Sequence, residues 1–354
     1  QNYYGTANVL PRLKSDPEFV WLREADSQVL QQSLKDLQTA FDNFFRMHEN
    51  GTLPRGKGKA RKDGKPKGFP RFKSRRDRQS IRYPQRFKLD KQGVYLPKVG
   101  WVRVVIHRPI EGEMKNCVVS KTKSGKYFIS VQCEVEVPGP EPRYEPKAGV
   151  DLGLIDFLTT SDGEKVPTPK YLRRAERRTT IRQRRLSRKE KGSKNREKAR
   201  QRLARQFEKV GNQRKDFHHK QSHALVSHYG HLVFEHLNIA GMLKNHHLAK
   251  SISDAGWGQF VRFCEYKATW TGGTVEKADR FFPSTKACSA CGCIADHLRL
   301  SDRMWLCLDC GAIHDRDENA AINLLKQSTA GAAETHASGD TIPVRGSAQE
   351  AHLF

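Results

Sequence analysis

Apolar residues recur along the chain in two rhythms, one with the period of a helix and one with the period of a strand. From Asp26 onward, five apolar side chains fall three or four positions apart: Leu30, Leu34, Leu37, Phe41 and Phe44. This spacing predicts the buried face of an amphipathic helix. Over residues 80–137 apolar and β-branched positions alternate with polar ones, and "KSGK" separates two alternating runs. That pattern favours an antiparallel β unit that contains a hairpin.

From Ala148 onward, short buried strands alternate with helices, which is typical of an α/β domain. "AGVDLGLIDFLTTSDG" predicts a strand, a glycine turn and a second strand, and "TVEKADRFF" predicts a later strand. "HLVFEHLNI" predicts a buried strand that ends at Glu235. "SDAGWGQFVRFCEYKATWTGG" predicts a helix with Asp254 near its start, and a short helix is expected from Asp315 to about Gln327. Residues from 328 onward are small and polar, which predicts a disordered tail.

The charge balance indicates the kind of partner. The chain carries 64 Lys and Arg against 39 Asp and Glu, a formal net charge of +25. Such an excess attracts polyanions, with nucleic acid as the first candidate and an anionic membrane surface as the second. No apolar run approaches the roughly 18–20 residues that span a bilayer, and no signal peptide is visible. We therefore expect a cytoplasmic protein with no membrane partner.

Much of the positive charge is concentrated in one stretch. Residues 170–215 contain 20 Lys and Arg but only 4 Glu, in a helical pattern that is broken at Gly192. Because so many like charges repel one another when left bare, polyanion binding is favoured over a merely solvated helix. Residues 51–78 are rich in Gly, Pro, Lys and Arg and predict a flexible basic linker.

Cysteines predict a metal site. Four of the eight form two C-x-x-C pairs: Cys288, Cys291, Cys307 and Cys310. Each pair offers two thiolates from one tight turn, and Zn²⁺ takes four such ligands in a closed, structural tetrahedron. Cys293 is interpreted as a bystander, although it could replace Cys291. The isolated Cys117, Cys133 and Cys264 are expected in the core, and free thiolates favour a reducing compartment.

Acidic residues occupy three positions where a charged side chain is unusual unless it has a structural or functional role. Asp151 lies inside the apolar strand "AGVDLGL", Glu235 ends "LVFEHL", and "DRDENAA" opens a helix. Taken singly, each is explained by a paired core carboxylate or a helix N-cap. An Asp on a first strand, a Glu at the end of a later strand and an Asp on a final helix are together typical of RNase H-like nucleases. Three such acids can hold two Mg²⁺ about 4 Å apart for phosphodiester hydrolysis.

The helix-opening segment offers two aspartates for the third position. Asp315 and Glu318 have the spacing of a capping box, a role that would occupy Asp315. We therefore favour Asp317 as the third metal ligand and keep Asp315 as the alternative.

Five segments, in order, carry a resemblance to one family: "GFPRF", "AGVDLGLIDF", "VFEHLNIAGM", "SISDAGWGQFVRFCEYKATW" and "CSACG…CLDCGAIHDRDENAAINLL". Together they resemble TnpB, the transposon-encoded RNA-guided nuclease related to the type V CRISPR effectors. The resemblance runs from about residue 20 to residue 327. Because members of this family begin with a further strand and helix, we expect a segment before Gln1.

The resemblance implies a fold that is α/β plus β, with four parts. These are a helical recognition lobe with a basic linker (1–78), an antiparallel wedge-type β-barrel unit (79–145), an RNase H-like (RuvC) nuclease domain (146–327) with a zinc ribbon at 286–312, and a disordered tail (328–354).

The resemblance also implies site residues. The catalytic Mg²⁺ ligands fall on Asp151, Glu235 and Asp317, and one Zn²⁺ falls on the four paired cysteines. Guide RNA and its heteroduplex with DNA would lie on the basic stretch and the β unit, with candidate contacts at Arg173, Arg174, Arg177, Arg178, Arg184 and Arg185. A short motif beside the target would be read by polar residues near the N-terminus: Tyr4, Asn8, Ser27, Gln28, Gln31, Gln85 and Arg86. An ordinary surface role is the alternative for each of these.

The implied function is a Mg²⁺-dependent, RNA-guided DNA endonuclease of a transposon. Guide RNA from the transposon end would pair with double-stranded DNA beside a short flanking motif, and a RuvC-like site would cut both strands. We expect a monomeric protein in a ribonucleoprotein of a prokaryotic cytoplasm. Two alternatives stay open: an RNA-guided repressor without cleavage, and an RNA-independent RNase H-like resolvase or transposase. Three retained acids disfavour the first, and the β unit, helical lobe and arginine-rich stretch disfavour the second.

Overall fold

The computed structural model describes residues 2–51, 66, 68–71, 79–299 and 301–334, with side chains to residue 328. Over these residues the chain forms two compact units that divide between Val137 and Pro138. The basic linker predicted for 51–78 lies mostly outside the described residues, as does the tail from residue 335.

Helices open the first unit: α1 (Tyr3–Ser15), a 3-10 helix (Pro17–Arg23) and α2 (Ser27–Glu49). Asp26 caps α2 because its carboxylate accepts a hydrogen bond from the Gln28 amide at 2.9 Å. Phe44 is buried on the predicted apolar face, and its ring contacts Phe69 edge to face. The helix predicted from the spacing after Asp26 is confirmed.

Six antiparallel strands complete the first unit: β1 (Gln79–Tyr83), β2 (Lys88–Asp90), β3 (Gly93–Leu96), β4 (Gly100–Val102), β5 (Glu113–Lys121) and β6 (Tyr127–Glu134). They form two three-stranded sheets, ordered β1-β5-β6 and β2-β3-β4. The "KSGK" segment joins β5 to β6 through a turn at Gly125, whose φ of +88° suits glycine. The predicted antiparallel unit and its hairpin are therefore confirmed, and Cys117 is fully buried in it.

A five-stranded mixed sheet forms the centre of the second unit. Its strands are β7 (Lys147–Asp151), β8 (Asp156–Thr160), β9 (Lys165–Pro167), β10 (His231–Phe234) and β11 (Thr274–Lys277). The order is β11-β10-β7-β8-β9, with β11, β10 and β7 parallel and β8 and β9 antiparallel to their neighbours. Phe157, Phe234 and Phe260 are fully buried together in its core. Each predicted strand of this region is confirmed.

Helices and a small hairpin surround this sheet. They are α3 (Tyr171–Ser187), α4 (Lys194–His228), α5 (Ile239–Met242), α6 (Ala249–Ala255), α7 (Trp257–Trp270), β12 (Met304–Leu306), β13 (Ile313–Asp315) and α8 (Arg316–Glu334). The break predicted at Gly192 separates α3 from α4, where the φ of Gly192 is +92°.

Two predictions about the helices are wrong. Asp254 lies near the end of α6, because Gly256 adopts a left-handed conformation (φ +68°) and divides the expected single helix in two. Helix α8 continues to Glu334, beyond the end expected near Gln327, because three alanines among its last residues favour helix despite Gly331. The tail predicted from residue 328 is therefore helical over 328–334.

No helix in the described part of the chain combines the length and apolar character needed to cross a bilayer.

Candidate functional site

Two of the predicted acids lie side by side at one edge of the sheet. The parallel strands β10 and β7 pair Phe234 with Val150, so the next residue on each strand is Glu235 and Asp151. Both acids therefore emerge at the carboxyl ends of neighbouring parallel strands, where open α/β sheets place their ligands. Burial of the preceding apolar residues on both strands holds this register in place.

Helix α8 brings the third acid to the same edge. A β-carbon on Gly149 would lie 1.9 Å from the carbonyl oxygen of Ala321, so only glycine permits this approach of α8 to β7. Ala321 is itself fully buried at the contact. Asp317 lies in the first turn of α8 and acts electrostatically on Asp151, as Glu235 also does.

The two aspartates at the start of α8 have different partners. Asp315 accepts hydrogen bonds from the Asp317 and Glu318 amides at 3.1 Å each, so it caps the helix. Its other oxygen lies 2.6 Å from the Lys165 ammonium. Burial acts to raise the pKa of Asp315, but the Lys165 ammonium and the two amide donors outweigh it and hold this pKa below its usual value. The capping role expected of Asp315 is confirmed.

The surroundings of Asp151 disfavour its ionised form. Burial, followed by the nearby charges of Glu235 and Asp317, raises the pKa of Asp151 to about 7. Burial also raises the pKa of Glu235. A cluster in which like charges oppose one another in this way is a frequent mark of a functional site.

Arg303 is a member of this cluster that the sequence did not indicate. Its guanidinium donates to both oxygens of Asp317, at 2.8 and 3.1 Å. The β12–β13 hairpin positions it, because the Arg316 amide bonds the Arg303 carbonyl at 2.8 Å. Only this pairing across the hairpin, 14 residues from Asp317, brings the two together, so no local pattern could have revealed it.

The four paired cysteines converge beside α8. Their sulfur atoms all lie within 4.8 Å of one another, with Cys288 and Cys310 3.7 Å apart and Cys291 and Cys307 3.6 Å apart. A tetrahedron with Zn–S bonds of about 2.3 Å separates its sulfurs by about 3.8 Å. The spacing therefore suits a zinc ion.

Further side chains adjoin the cysteine cluster. The sulfur of Cys293 lies 3.2 Å from that of Cys307, so Cys293 borders the ligand set rather than lying apart from it. Nε2 of His314 lies 3.0 Å from the sulfur of Cys288. Backbone N–H donors, chiefly that of Cys310, together with Cys293 lower the pKa of Cys307 to about 6. In the described part of the chain, two groups of three or more potential metal ligands have their ligand atoms within 4.8 Å of one another, and both contain cysteine. The carboxylates of Asp151, Glu235 and Asp317 are spaced more widely than this.

Buried asparagines connect the cysteine knuckle to α8. Asn319 accepts from the Ser289 amide at 2.8 Å and donates to the Ala287 carbonyl at 2.8 Å. Asn323 donates to the same carbonyl and to that of Ser284. The knuckle therefore orients the helix that carries Asp317.

The helices α3 and α4 form a basic helical hairpin in the second unit. All six arginines predicted as nucleic-acid contacts, Arg173, Arg174, Arg177, Arg178, Arg184 and Arg185, are exposed on α3. A cavity of about 620 Å³ between α3 and α4 is lined mostly by basic side chains, including Arg178, Arg182, Arg202, Arg205 and Lys209. Exposed guanidinium groups around a groove are suited to phosphate contacts.

Asp254 connects this hairpin to α6 in the same unit. It accepts from the Leu172 amide at the start of α3 at 2.9 Å and from Arg214 of α4 at 3.0 Å. The sequence interpretation made Asp254 a helix-start residue of its own segment and missed this role, because the partners lie 40 and 82 positions away.

Polar residues predicted to read a flanking motif lie in the first unit. Tyr4 and Asn8 are exposed on α1, Ser27 starts α2 and accepts from Lys14 at 2.8 Å, and Gln31 is half-buried. Gln28 and Gln85 hydrogen-bond each other at 3.2 Å, and Arg86 lies 3.3 Å from Asp26. Ser27, Gln28, Gln85 and Arg86 thus form one polar surface at the start of α2.

Comparisons with known proteins agree on one family. A family model described as "Probable transposase" matches residues 130–246, and one described as "Cas12f1-like, TNB domain" matches residues 257–324. A Streptomyces pristinaespiralis protein named "Putative RNA-guided DNA endonuclease" is 37% identical over 94% of this chain and 79% of its own length. Its Escherichia coli K12 counterpart, InsQ, bears the same name and is 34% identical over 91% and 80%.

Among solved structures, the chain resembles the Cas12f1 subunit of a Cas12f1–sgRNA–target DNA complex. The TM-score is 0.48 at 14% identity, over 91% of this chain and 78% of that one.

The mixed α/β core and the four-cysteine knuckle lie in the regions that the two family models match, and these models define the general class, that of transposase-like proteins. Within that class, the two bacterial relatives show that the chain belongs to the TnpB family.

Proposed function

We propose that this protein is an RNA-guided DNA endonuclease that makes double-strand breaks next to a short flanking motif. The observation that carries the proposal is the pairing of Asp151 and Glu235 at neighbouring strand ends, with Asp317 on the helix that packs over them. Both bacterial relatives bear the name of such an enzyme.

The nuclease domain is proposed to be RNase H-like. Numbered within this domain, the five strands have the order 5-4-1-2-3, with strand 2 antiparallel to strands 1 and 3. That arrangement supports a RuvC-like assignment, because it leaves strands 1 and 4 adjacent and their carboxyl ends open to a ligand.

The acid trio fits a magnesium site by the chemistry of its donors. Asp151, Glu235 and Asp317 offer only hard carboxylate oxygens, and two of them carry raised pKa values that a cation would reverse. When bound, two Mg²⁺ would stabilise the attacking and leaving oxygens of an in-line displacement at a DNA phosphodiester. Arg303, held beside Asp317, supplies a cation at the same place and is suited to a phosphate oxygen.

The remaining surfaces receive the nucleic acids in this proposal. The α3–α4 hairpin contacts the phosphates of guide RNA and heteroduplex, which position without specifying sequence. The polar surface around Gln28, Gln85 and Arg86 reads base edges of the flanking motif, together with Tyr4, Asn8, Ser27 and Gln31. The four cysteines hold one structural Zn²⁺ that orients α8.

The test begins with the RNA that accompanies the protein. We would express the chain with the DNA that flanks its gene, purify it and sequence the bound RNA. The expected result is one abundant RNA whose constant part is structured and whose end runs into flanking sequence. Replacing that end with a chosen guide should direct Mg²⁺-dependent cutting of matching DNA.

A matched pair of variants identifies the third acid. Asp317→Asn should lower the cleavage rate at least about 100-fold while DNA binding is retained, because only metal ligation is lost. Asp315→Asn should keep the helix cap, because an asparagine oxygen accepts the same amide hydrogen bonds, and should lose only the part-exposed ion pair with Lys165. Most cutting should therefore stay intact. The reverse pattern would transfer the assignment to Asp315. Random cellular RNA in the preparation would favour the RNA-independent resolvase, and binding without cutting by the unaltered protein would favour a repressor.

A further inference from the structure

A small cavity of about 180 Å³ adjoins the acidic site within the second unit. Glu235 lines it, and so does Leu152, which directly follows Asp151 in the chain. Its other walls are mostly apolar, contributed by Leu237, Ile239 and Val261. The volume is below the roughly 300 Å³ at which sites for drug-sized ligands begin. It therefore suits a single planar ring system rather than a large ligand.

Trp257 is one of the residues that line this cavity, and the described residues offer no acceptor for its indole N–H. The side chain is 2% exposed, and its indole N–H has no hydrogen-bond partner among the residues that the structure describes. Leaving a buried donor unpaired costs about 1–3 kcal/mol, so nearly all such groups in folded proteins find a partner. The position of Trp257 follows from Gly256, whose left-handed conformation begins α7 at the cavity.

Positive charge surrounds the cavity. Arg262 and Lys277 line it and are exposed, and Nε of Arg262 is held by the Gly258 carbonyl at 3.0 Å. Lys277 pairs with Glu265 at 2.6 Å. Helix α7 also begins without a side-chain cap, so its positive end adds to the field. An apolar cavity edged by cations matches a nucleotide, whose base is planar and whose phosphates are anionic.

We propose that this cavity binds the base of the nucleotide next to the phosphodiester that is cut. The Trp257 N–H donates to an acceptor on the base edge, while Arg262 and Lys277 contact the adjoining phosphates. All four bases carry carbonyl or ring-nitrogen acceptors, so the contact positions the strand without selecting a sequence. The assignment rests on the proposed nuclease function, because the cavity is placed relative to Glu235 and Asp151 as metal ligands.

Trp257→Phe tests the contact because it keeps an aromatic ring and removes only the N–H donor. Trp270→Phe is the matched control, since Trp270 ends the same helix, is 63% exposed and lies outside the cavity. Guide-loaded protein would be assayed under single-turnover conditions on DNA substrates with one abasic site, moved stepwise across the nucleotides around the cut.

The expected result for the unaltered protein and for Trp270→Phe is one abasic position that slows cutting about tenfold, the effect of one buried hydrogen bond. Trp257→Phe should cut intact DNA more slowly and show a smaller penalty at that abasic position, because it loses the hydrogen bond but keeps the apolar burial of the base. An abasic penalty that persists undiminished in Trp257→Phe, or its absence at every position, would overturn the proposal.

A binding measurement separates this proposal from the nuclease function. Fluorescence anisotropy with short single-stranded DNA and its abasic counterpart should show tighter binding of the intact strand by the unaltered protein, and a smaller difference between the two strands for Trp257→Phe. This difference is expected even if no guide directs cutting, an outcome that would refute the nuclease function alone. If Trp257→Phe fails to fold, Leu237→Phe provides a second test, because its larger side chain fills the cavity from another wall. It should remove the difference in binding between the intact and the abasic strand. A difference retained by Leu237→Phe counts against the subsite.

Discussion

Asp151 is the residue at which stability and function oppose each other. Its pKa is raised from an ordinary value of 3.8 to about 7, so the folded protein binds a proton there that the unfolded chain has already released. The stability linked to this proton is fully present below about pH 4 and is lost as the pH rises through about 7. Carboxylates brought together at the sheet edge thus destabilise the fold when they are charged.

Asp151→Asn should therefore stabilise the protein in the absence of divalent metal. We expect a gain of about 2 kcal/mol, or roughly 5 °C in Tm, at pH 8. The difference from the unaltered protein should shrink toward zero as the pH is lowered to about 4. Thermal unfolding in EDTA across this range measures it. Asp216→Asn, at an exposed pair with Lys220 on α4, is the control and should change Tm little. An Asp151→Asn gain that is equal at pH 4 and pH 8 would contradict the electrostatic cause.

Single residues also show where sequence patterns were sufficient. Asp151, Glu235 and Asp317 could be selected because charges in apolar strands or at a helix start are unusual and visible locally. Arg303 and the Trp257 N–H could not, since an arginine before a short strand and a tryptophan in an amphipathic helix look ordinary. Their importance depends on which atoms lie opposite them after folding.

Among the elements, α8 depends most on its neighbours. Its first turn carries Asp317, and its buried Asn319 and Asn323 bond the backbone of the cysteine knuckle. Gly149 lets it approach β7 closely. The buried core of the knuckle consists of a few side chains, such as Trp305 and Ala295, so we expect its shape to depend on the proposed zinc ion.

Cys310→Ser should consequently affect a helix that contains no cysteine. We expect bound zinc to fall from one per chain to near zero, because three thiolates hold the ion much less tightly. Hydrogen exchange of the α8 amides should quicken while that of β7 stays slow. Elemental analysis and exchange mass spectrometry provide the two measurements.

Cys133→Ser in β6 is the matched control for this prediction and should retain one zinc, since Cys133 is not a member of the cysteine cluster. A full equivalent of zinc bound to Cys310→Ser would mean that a neighbouring side chain, Cys293 or His314, replaces the lost ligand. Loss of that zinc on adding Cys293→Ser would assign Cys293 to the metal site.

Element boundaries were predicted well where one residue dictates the backbone and poorly where packing decides. Gly192 and "KSGK" mark a helix break and a hairpin turn, because positive φ angles are accessible to glycine. Gly256 has the same property, yet its apolar surroundings concealed the break between α6 and α7. Contacts of Asp254 with two distant helices stabilise that junction and have no local signature.

At the scale of the whole molecule, the charge of +25 should make RNA binding strongly dependent on salt. Arg178→Gln combined with Arg205→Gln, on the facing helices of the basic cavity, should weaken binding. The slope of log K against log salt should become shallower by roughly 1.4, about 0.7 for each lost phosphate contact. Filter binding of the co-purified RNA between low and moderate salt measures this slope.

Lys115→Gln serves as the comparison, because that ammonium is already paired with Glu113 and Glu134. Its slope should match that of the unaltered protein. An unchanged slope for the double arginine variant would remove the α3–α4 hairpin from the RNA interface.

The sequence alone predicted most of the described strands and helices, the four clustered cysteines and the acids of the candidate site, and it favoured a polyanion as the partner. These properties depend on composition and short spacing, which are independent of the path of the chain. Only the tertiary structure decided that Asp151 and Glu235 are register neighbours, that Arg303 contacts Asp317, and that a cavity with an unpaired donor adjoins them. Those facts arise from close packing between residues that lie far apart in the chain, where a glycine or a turn sets the distance and no local pattern records the partner.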